Sequence, residues 1–326
     1  MNGRPLDVRR IMLETLGALV PGLLVSVWCY GWGVICQCVL VAVVALVLEA
    51  LVLRLRGRRG PWIPADASVL VLAVLLGLTL PAYTPWWITI IATAFAVLIA
   101  KHAFGGLGQN VFNPAMAGYA LVLVCFPAII KSLDGQFLAL DRPWQALRLV
   151  LRGVEIDTTS GATVLDVLRT QRMMMLMRSE IDLSAFGFLS AARAQWVNAA
   201  FLIGGLFLVV RGHVKWQIPV GLLGTLALLA GAGYVYDSAR YAGAMLHLFA
   251  GATMLGAFFI ATDPVTSATT RRGRWLFGAG VGALIYVMRV RGGYPDGVAF
   301  AVLFMNALVP WLDNVTRPRT YGDSRS

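Results

Sequence analysis

The chain has 326 residues, of which 59% are hydrophobic and 13% are charged. Soluble domains carry about 25% charged residues, so this composition excludes an ordinary soluble protein and indicates an integral membrane protein. The net charge of +11 would suggest nucleic-acid binding in a soluble chain. Here the basic residues lie in short stretches between apolar runs, where they indicate membrane topology.

Ten apolar segments follow one another along the chain, and each is a candidate membrane helix. The third has thirteen residues, which as a helix reach about 20 Å against about 30 Å of hydrocarbon, and Pro81 ends it. Asp263-Pro264 interrupts the chain after the eighth. Short segments that end at proline predict broken helices near the bilayer centre. The ten segments run over 11–32, 34–53, 68–80, 86–100, 115–130, 196–210, 216–233, 245–261, 275–288 and 298–311.

The two halves of the chain match. Pro81 and Pro264 lie 183 positions apart, as do Asn113 and Asp296, and the same shift aligns the first two segments of each half. Each half has five spans, an odd number, so the second copy must be inverted. The alternative is a chance similarity between apolar segments rich in glycine and proline.

The sequence therefore predicts an all-α integral membrane protein with ten transmembrane segments in an inverted five-plus-five repeat with broken helices. The predicted domains are a first membrane repeat (1–130), a small periplasmic loop domain (131–195) and a second membrane repeat (196–326).

Basic residues indicate the orientation. Most of them fall on one side of the predicted spans, which the positive-inside rule makes cytoplasmic. Both termini are then cytoplasmic and the loop 131–195 is periplasmic, in a bacterial inner membrane, with Arg289 and Arg291 as exceptions on the outer side. The basic residues on the predicted cytoplasmic side are Arg4, Arg9, Arg10, Arg54, Arg56, Arg58, Arg59, Lys101, His102, Arg211, Lys215, Arg271, Arg272, Arg274, Arg317 and Arg319.

The predicted periplasmic loop contains the pattern Asp-x-x-Ser-Gly-Ala-Thr, formed by Asp157, Ser160, Gly161, Ala162 and Thr163. This pattern marks a threonine whose hydroxyl is esterified to the phosphate of FMN by a flavin transferase. The two small residues let the backbone enter a transferase cleft and present one hydroxyl. Transferases of this type act on the outer face of the membrane, which agrees with the predicted topology.

A structural reading competes with the flavin site. Thr163 followed by Asp166 three positions later, ahead of an apolar run, is also typical of a helix N-cap. The spacing of Asp157 from the Ser-Gly-Ala-Thr stretch favours the flavin site.

Acids inside apolar spans are functional candidates by default, and Glu14 and Glu49 are two such residues. Both lie near the predicted cytoplasmic ends of their spans, so contact with water or with arginine is an equal alternative. His102 and His213 are predicted at the cytoplasmic surface, and His247 is predicted to be a hydrogen-bonded packing residue.

Four polar residues lie where the helices are predicted to break: Asn110, Asn113, Asp263 and Thr266. Backbone groups exposed at such breaks could line a cavity for an ion or for a second, non-covalent flavin. For any single one of them, local helix capping is the favoured alternative.

The cysteines are predicted to be buried thiols that act as small apolar residues. No metal cluster, Walker A loop or dinucleotide fingerprint occurs in the sequence. The cysteines are Cys29, Cys36, Cys38 and Cys125.

Four ordered motifs resemble the RnfD/NqrB family, which comprises the RnfD component of the Rnf ion-translocating oxidoreductase and the NqrB component of the sodium-pumping NADH:quinone reductase. The resemblance covers the whole chain, and the short basic N-terminus favours the Rnf branch. The motifs are GGLGQNVFNPA at 105–115, SGAT at 160–163, ATDPVTS at 261–267 and GYPDGVAF at 293–300.

The resemblance implies an electron-transfer subunit of an inner-membrane complex that links ferredoxin and NAD redox chemistry to Na⁺ or H⁺ movement. It implies one covalent FMN on Thr163 and no NAD site in this chain. The implied partners are the other Rnf subunits (RnfA, RnfB, RnfC, RnfE and RnfG) and a flavin transferase. The implied fold is similar to that of urea and ammonium channels. A small-solute channel is therefore the main alternative function, and a structural membrane scaffold is the third possible function.

Overall fold

The computed structural model describes residues 8–57, 67–106, 108–133, 142–152, 165, 187–292 and 296–317. This described part of the chain is helical and contains no β-strand. For these described residues, the prediction of an all-α membrane protein is confirmed.

The first half is built from helices that end where the sequence supplies breakers. Gly31, at a φ of 84°, makes the turn between α1 and α2, and Pro81 follows α3. The side chain of Asn113 caps α5, which begins at Pro114. The helices are α1 (Val8–Tyr30), α2 (Gly33–Leu55), α3 (Ser68–Thr79), α4 (Trp86–Ala94, continued by the π-helical Phe95–Ala103), α5 (Pro114–Cys125), α6 (Pro127–Leu133) and α7 (Pro143–Arg152).

The second half repeats this alternation of long and interrupted helices. Its first helix begins at Gly187, nine residues before the predicted segment, and its third is broken at Ala250 and Gly251. The helices are α8 (Gly187–Val210), α9 (Gln217–Tyr236), α10 (Ala244–Phe249), α11 (Thr253–Leu255, continued by the π-helical Gly256–Ile260), α12 (Arg271–Arg291) and α13 (Val298–Thr316).

All ten predicted apolar segments coincide with helices. Within the described residues, six helices are long and apolar enough to cross a membrane, and α5 with α6, bent by 108°, makes up to seven. α3 is one of the short apolar helices, as its length predicted. Ten crossings and the inverted repeat stay predictions.

Hydrogen bonds between helix ends define two ends of the molecule. Glu14 of α1 meets Arg211, which follows α8, and Arg56, which follows α2, meets the end of α4. Asp313 near the end of α13 meets Thr269, just before α12. We call this the basic end, and the opposite end, where α1 stops and α2 and α4 start, the loop end.

The pair α9 and α12 packs through glycines that allow the two backbones to touch. A Cβ on Gly278 would lie 2.4 Å from the carbonyl oxygen of Ile218, and one on Gly282 would lie 2.3 Å from that of Leu222. Gly278 and Gly282 are four residues apart, the spacing that brings membrane helices into close contact.

Replacing either glycine by valine should therefore force these two helices apart. We expect Gly278→Val and Gly282→Val each to lower the free energy of unfolding by about 1–3 kcal/mol or more, because the obstacle is backbone rather than a movable side chain. Gly224→Val on α9 is the matched control, since a Cβ there has no neighbour within 4 Å. Thermal unfolding in detergent measures the difference, and equal melting temperatures for all three variants would contradict this packing.

Candidate functional site

The predicted flavin-attachment residues Asp157, Ser160, Gly161, Ala162 and Thr163 lie outside the described residues. The structure does describe Leu165, two positions after Thr163 in the sequence. It is buried, with 7% of its surface exposed, and it lines a cavity at the loop end.

The loop-end cavity has a volume of about 180 Å³ and lies between the two halves of the chain. Its wall is mostly apolar and aromatic, with a few hydroxyls and one carboxylate. Residues from α1, the break after α3, α5, α8 and the region from α11 to α13 contribute to it. Among the lining residues are Ser26, Tyr30, Pro81, Tyr119, Leu165 and Asp296.

Arg289 holds the break between α10 and α11 beside this cavity. Its guanidinium donates to the carbonyl oxygens of His247 (2.6 Å) and Ala250 (3.1 Å), to the hydroxyl of Thr253 (2.9 Å) and to Asp296 Oδ1 (3.0 Å). A broken helix leaves carbonyls without intrahelical partners, and a buried arginine satisfies several at once. This exception to the positive-inside pattern is therefore a buried structural cation.

Asp296 completes the same cluster from the segment before α13. Its carboxylate accepts from the amides of Ala252 (2.7 Å) and Val298 (3.3 Å). It therefore caps one chain break while it neutralises Arg289.

Asn198 of α8 was missed by the sequence analysis and bridges the same break. Its amide nitrogen donates to the carbonyls of Phe249 (3.1 Å) and Gly251 (2.8 Å), and its oxygen accepts from the amide of Met254 (2.9 Å). The available signal was one asparagine in an otherwise apolar span.

A second cavity, of about 110 Å³, opens at the basic end. The apolar residues of its wall come mainly from α1, α3 and α11. Its polar lining residues are Thr15, Ser68, Lys101, Asn110, Asn113, His213, Thr262 and Asp263. Three of the four predicted break residues (Asn110, Asn113 and Asp263) thus line one cavity, and the fourth, Thr266, is buried nearby.

Asn113 and Asn306 tie the broken helices together. Asn113 caps α5 through its oxygen and donates to the carbonyl of Ile260 (3.4 Å). Asn306 of α13 accepts from the backbone amide of Asn113 (3.2 Å) and donates to the carbonyl of Thr266 (2.9 Å).

The capping alternative is confirmed for Asn113, whereas the carboxylate of Asp263 accepts from the amide of Val265 (3.0 Å) in a turn that no helix follows directly. Both residues line the cavity, so for Asn113 capping and cavity lining coexist.

Glu49, Lys101 and His102 form a buried charged cluster next to the basic-end cavity. Lys101 donates to both oxygens of Glu49 (2.8 and 2.9 Å) and to Ser68 (3.1 Å), while His102 Nε2 lies 2.9 Å from Glu49. The side chains of all three ionisable residues are 5% exposed or less.

The prediction that His102 lies at the cytoplasmic surface is wrong. Lys101 and His102 belong to the last π-helical turns after α4, where both side chains turn inward to contact Glu49. Among the described residues, the ionic partners of Glu49 are this lysine and histidine rather than an arginine. A topology count based on charge cannot distinguish such buried cations from surface residues.

Glu14 forms the second acidic cluster of the basic end. It accepts from Arg10 (2.9 Å) and from Arg211 (2.7 and 2.9 Å), and His213 Nε2 lies 2.6 Å away. The predicted contact with arginine is confirmed for this acid. Its hydrogen bonds and then its negative charge raise the pKa of Arg211 above the ordinary value. His213 is partly buried rather than a surface residue.

A thin apolar layer separates the two cavities. Met116, Phe201 and Ile260 line the loop-end cavity, while Phe259 lines the basic-end cavity. The rings of Phe201 and Phe259 meet edge to face with centroids 6.1 Å apart. These four apolar side chains therefore lie where the two cavities approach each other.

The cysteines do not share one environment. Cys29 and Cys38 are buried and Cys36 is half-buried, but Cys125 is exposed at the end of α5. The prediction of buried thiols is wrong for Cys125, because the bend between α5 and α6 leaves it on the outside.

Comparison with known proteins identifies the family. The sequence profile of the NQR2, RnfD, RnfE family matches residues 3–322. The chain belongs to the NQR2, RnfD, RnfE family. The RnfD resemblance drawn from the four motifs is confirmed.

Relatives within the NQR2, RnfD, RnfE family align over nearly their whole length. A Pseudomonas aeruginosa (strain UCBPP-PA14) protein is 48% identical, over 97% of this chain and 92% of its own. An Alcanivorax borkumensis protein is 45% identical over 97% and 93%, and one from Salmonella paratyphi B is 45% identical over 96% and 94%. All three are named as the D component of an ion-translocating oxidoreductase complex.

Lys101→Met should destabilise this family member strongly, because it leaves the Glu49 carboxylate buried without its lysine. Breaking a buried ion pair costs about 3–5 kcal/mol, whereas removing both charges together costs far less. We expect Glu49→Gln/Lys101→Met to recover more than half of the loss in unfolding free energy. The exposed pair Arg240 and Asp237 is the control: Arg240→Gln should cost about 0–1 kcal/mol. A double variant as unstable as Lys101→Met would contradict a mutual neutralisation of the two residues.

Proposed function

We propose that this chain is a membrane flavoprotein subunit of an ion-translocating oxidoreductase complex of the Rnf type. Electrons pass through an FMN attached by a phosphoester to Thr163, and their transfer is coupled to Na⁺ or H⁺ transport. The observation that carries the proposal is the attachment motif ending at Thr163, two residues before the buried Leu165. The names of the three relatives support the same class of complex.

The loop-end cavity suits the ring system of such a flavin. Leu165, two positions after Thr163 in the sequence, lines this cavity. Tyr30, Tyr119 and Phe201 offer aromatic surface to a flat ring, and Asp296 and Ser26 offer polar contacts. The bound flavin would supply one- and two-electron transfer, which these side chains cannot perform themselves.

The basic-end cavity is our candidate for a second, non-covalent flavin. Lys101, Asn110 and Asn113 bring a cation and two amides to its wall. Phe258 and Phe259 add aromatic surface on the other side. This combination of an apolar wall with a few polar groups is typical of cofactor sites.

NAD chemistry belongs to a partner, because the chain has no dinucleotide fingerprint, and the partners are the other Rnf subunits and a flavin transferase. The basic end is cytoplasmic, in the bacterial inner membrane. Contacts of α1 with α8 and of α5 with α13 pair equivalent helices of the two halves, which supports the inverted repeat.

A small-solute channel is the second candidate, and the two cavities facing opposite ends favour it. The layer of Met116, Phe201, Phe259 and Ile260 would be its constriction. The attachment motif has no use in a channel, and that is why the flavoprotein is our conclusion.

Thr163→Val should abolish covalent flavin, because valine keeps the shape of threonine and removes the hydroxyl that forms the ester. Thr163→Ser should keep part of the label. Thr159→Val is the matched control, since position 159 is unconstrained in the motif. The chains are produced with the flavin transferase, denatured and separated by electrophoresis, and flavin fluorescence in the gel is measured.

Mass spectrometry should place FMN less one water on the wild-type peptide that contains Thr163. Covalent flavin retained in Thr163→Val would contradict the attachment site. A complex that carries the Thr163→Val chain and still pumps ions at the wild-type rate would show that electrons bypass this chain, and would favour the channel.

Val71→Phe should fill the basic-end cavity, whose wall includes Val71, and should reduce the non-covalent flavin released on denaturation by at least about tenfold. The covalent flavin on Thr163 should stay, which reports that the chain has folded and matured. Val39→Phe is the control, because Val39 is 55% exposed on α2 and faces away from the cavity. This second site would be excluded if the wild type released no non-covalent flavin, or if Val71→Phe released as much of it as the wild type.

A further inference from the structure

α7 packs against the rest of the molecule through one side only. Ala146 and Val150 are buried and Leu149 is partly buried. Together with Tyr83 and Leu133, Ala146 forms a small core separate from the main one, and Cys36 of α2 packs against it. Because Cys36 is three residues from the start of α2, α7 lies at the loop end.

The opposite side of α7 is exposed and combines apolar with basic residues. Trp144, Leu147 and Leu151 are 43%, 49% and 53% exposed and follow one another at a spacing of three and four residues. Arg148 and Arg152 are exposed beside this stripe, and Arg148 lies over the Trp144 ring, 4.3 Å from its centroid.

The charge of this helix is of one sign. Arg142, Arg148 and Arg152 are all exposed, and the sequence from 142 to 152 has no acidic residue. In the described structure no carboxylate forms an ion pair with any of the three. A helix with exposed large apolar side chains and unneutralised arginines has the composition of helices that lie in the membrane surface.

Exposed aromatic side chains place the loop end at the level of the headgroups. Tryptophan and tyrosine collect at membrane–water interfaces because they are apolar with one polar atom. Trp28 and Trp32 flank the turn from α1 to α2, and Trp86 begins α4. Tyr234 and Tyr236 end α9, and all five of these rings are exposed. α7 packs at this same end, close to the level of these rings.

We propose that α7 is an in-plane interfacial helix that binds anionic phospholipid headgroups of the leaflet at the loop end. Trp144, Leu147 and Leu151 enter the acyl-chain boundary. Arg148 and Arg152 donate hydrogen bonds to lipid phosphodiesters, which guanidinium groups can engage with two parallel bonds. This role depends neither on the flavin nor on the transported ion.

The test uses the assembled complex reconstituted in lipid vesicles, with a fluorophore on Leu147→Cys in a Cys125→Ser chain. Brominated phosphatidylglycerol or brominated phosphatidylcholine is the quencher, at equal mole fractions in otherwise identical vesicles. Both should quench, because Leu147 contacts lipid, and phosphatidylglycerol should quench more strongly. Each arginine near a charged surface should enrich the anionic lipid roughly fivefold.

R148Q/R152Q should remove the preference for phosphatidylglycerol and keep quenching by both lipids. R240Q is the matched control, because Arg240 is an exposed loop-end arginine outside α7, and it should keep the preference. Absence of quenching in the complex would show that another protein of the complex covers this face and would overturn the proposal. Equal quenching by the two lipids in the wild type, or a preference that survives R148Q/R152Q, would overturn it as well.

Discussion

The fold depends on satisfying backbone groups where helices break inside the membrane. No water is available there, so each free N–H or C=O costs several kcal/mol unless the protein supplies a partner. Side chains from distant helices do so. Asn198 and Arg289 cover the break between α10 and α11, and Asn306 joins Asn113 to the carbonyl of Thr266. The two cavities exist because the helices stay broken at these points while their free backbone groups remain hydrogen-bonded.

The same constraint explains why the buried charges are paired. An isolated carboxylate within the bilayer is too costly to keep ionised, so Glu49 is neutralised by Lys101 and Asp296 by Arg289. Both pairs border a cavity, one at each end of the molecule. Each cavity is thus bordered by one neutralised ion pair, while the layer around Phe259 between them is apolar.

Periodicity and breakers in the sequence predicted the helices and the break after α3 well, because both are local properties. They could not predict the partners of the buried residues. Asn306 meets Asn113 across 193 residues, and Lys101 meets Glu49 across 52. A basic residue at the end of an apolar run looks the same in sequence whether it faces water or a buried acid. For this reason the prediction that His102 lies at the surface was wrong. The predicted attachment motif ending at Thr163 is local in the opposite sense, since a modifying enzyme would have to recognise it from a few neighbouring residues.

The burial of Leu165 has a consequence for how a group carried on Thr163 would meet the loop-end cavity. Leu165 lies in the cavity wall, so a group attached to Thr163 would be held two positions along the chain from a residue that lines the cavity. A group that is covalently attached near its site needs little binding affinity. A short linker holds it there at an effective concentration on the order of millimolar or more. A cavity with only weak contacts to the attached group would then be filled almost all the time, and its side chains would not have to retain that group by affinity alone.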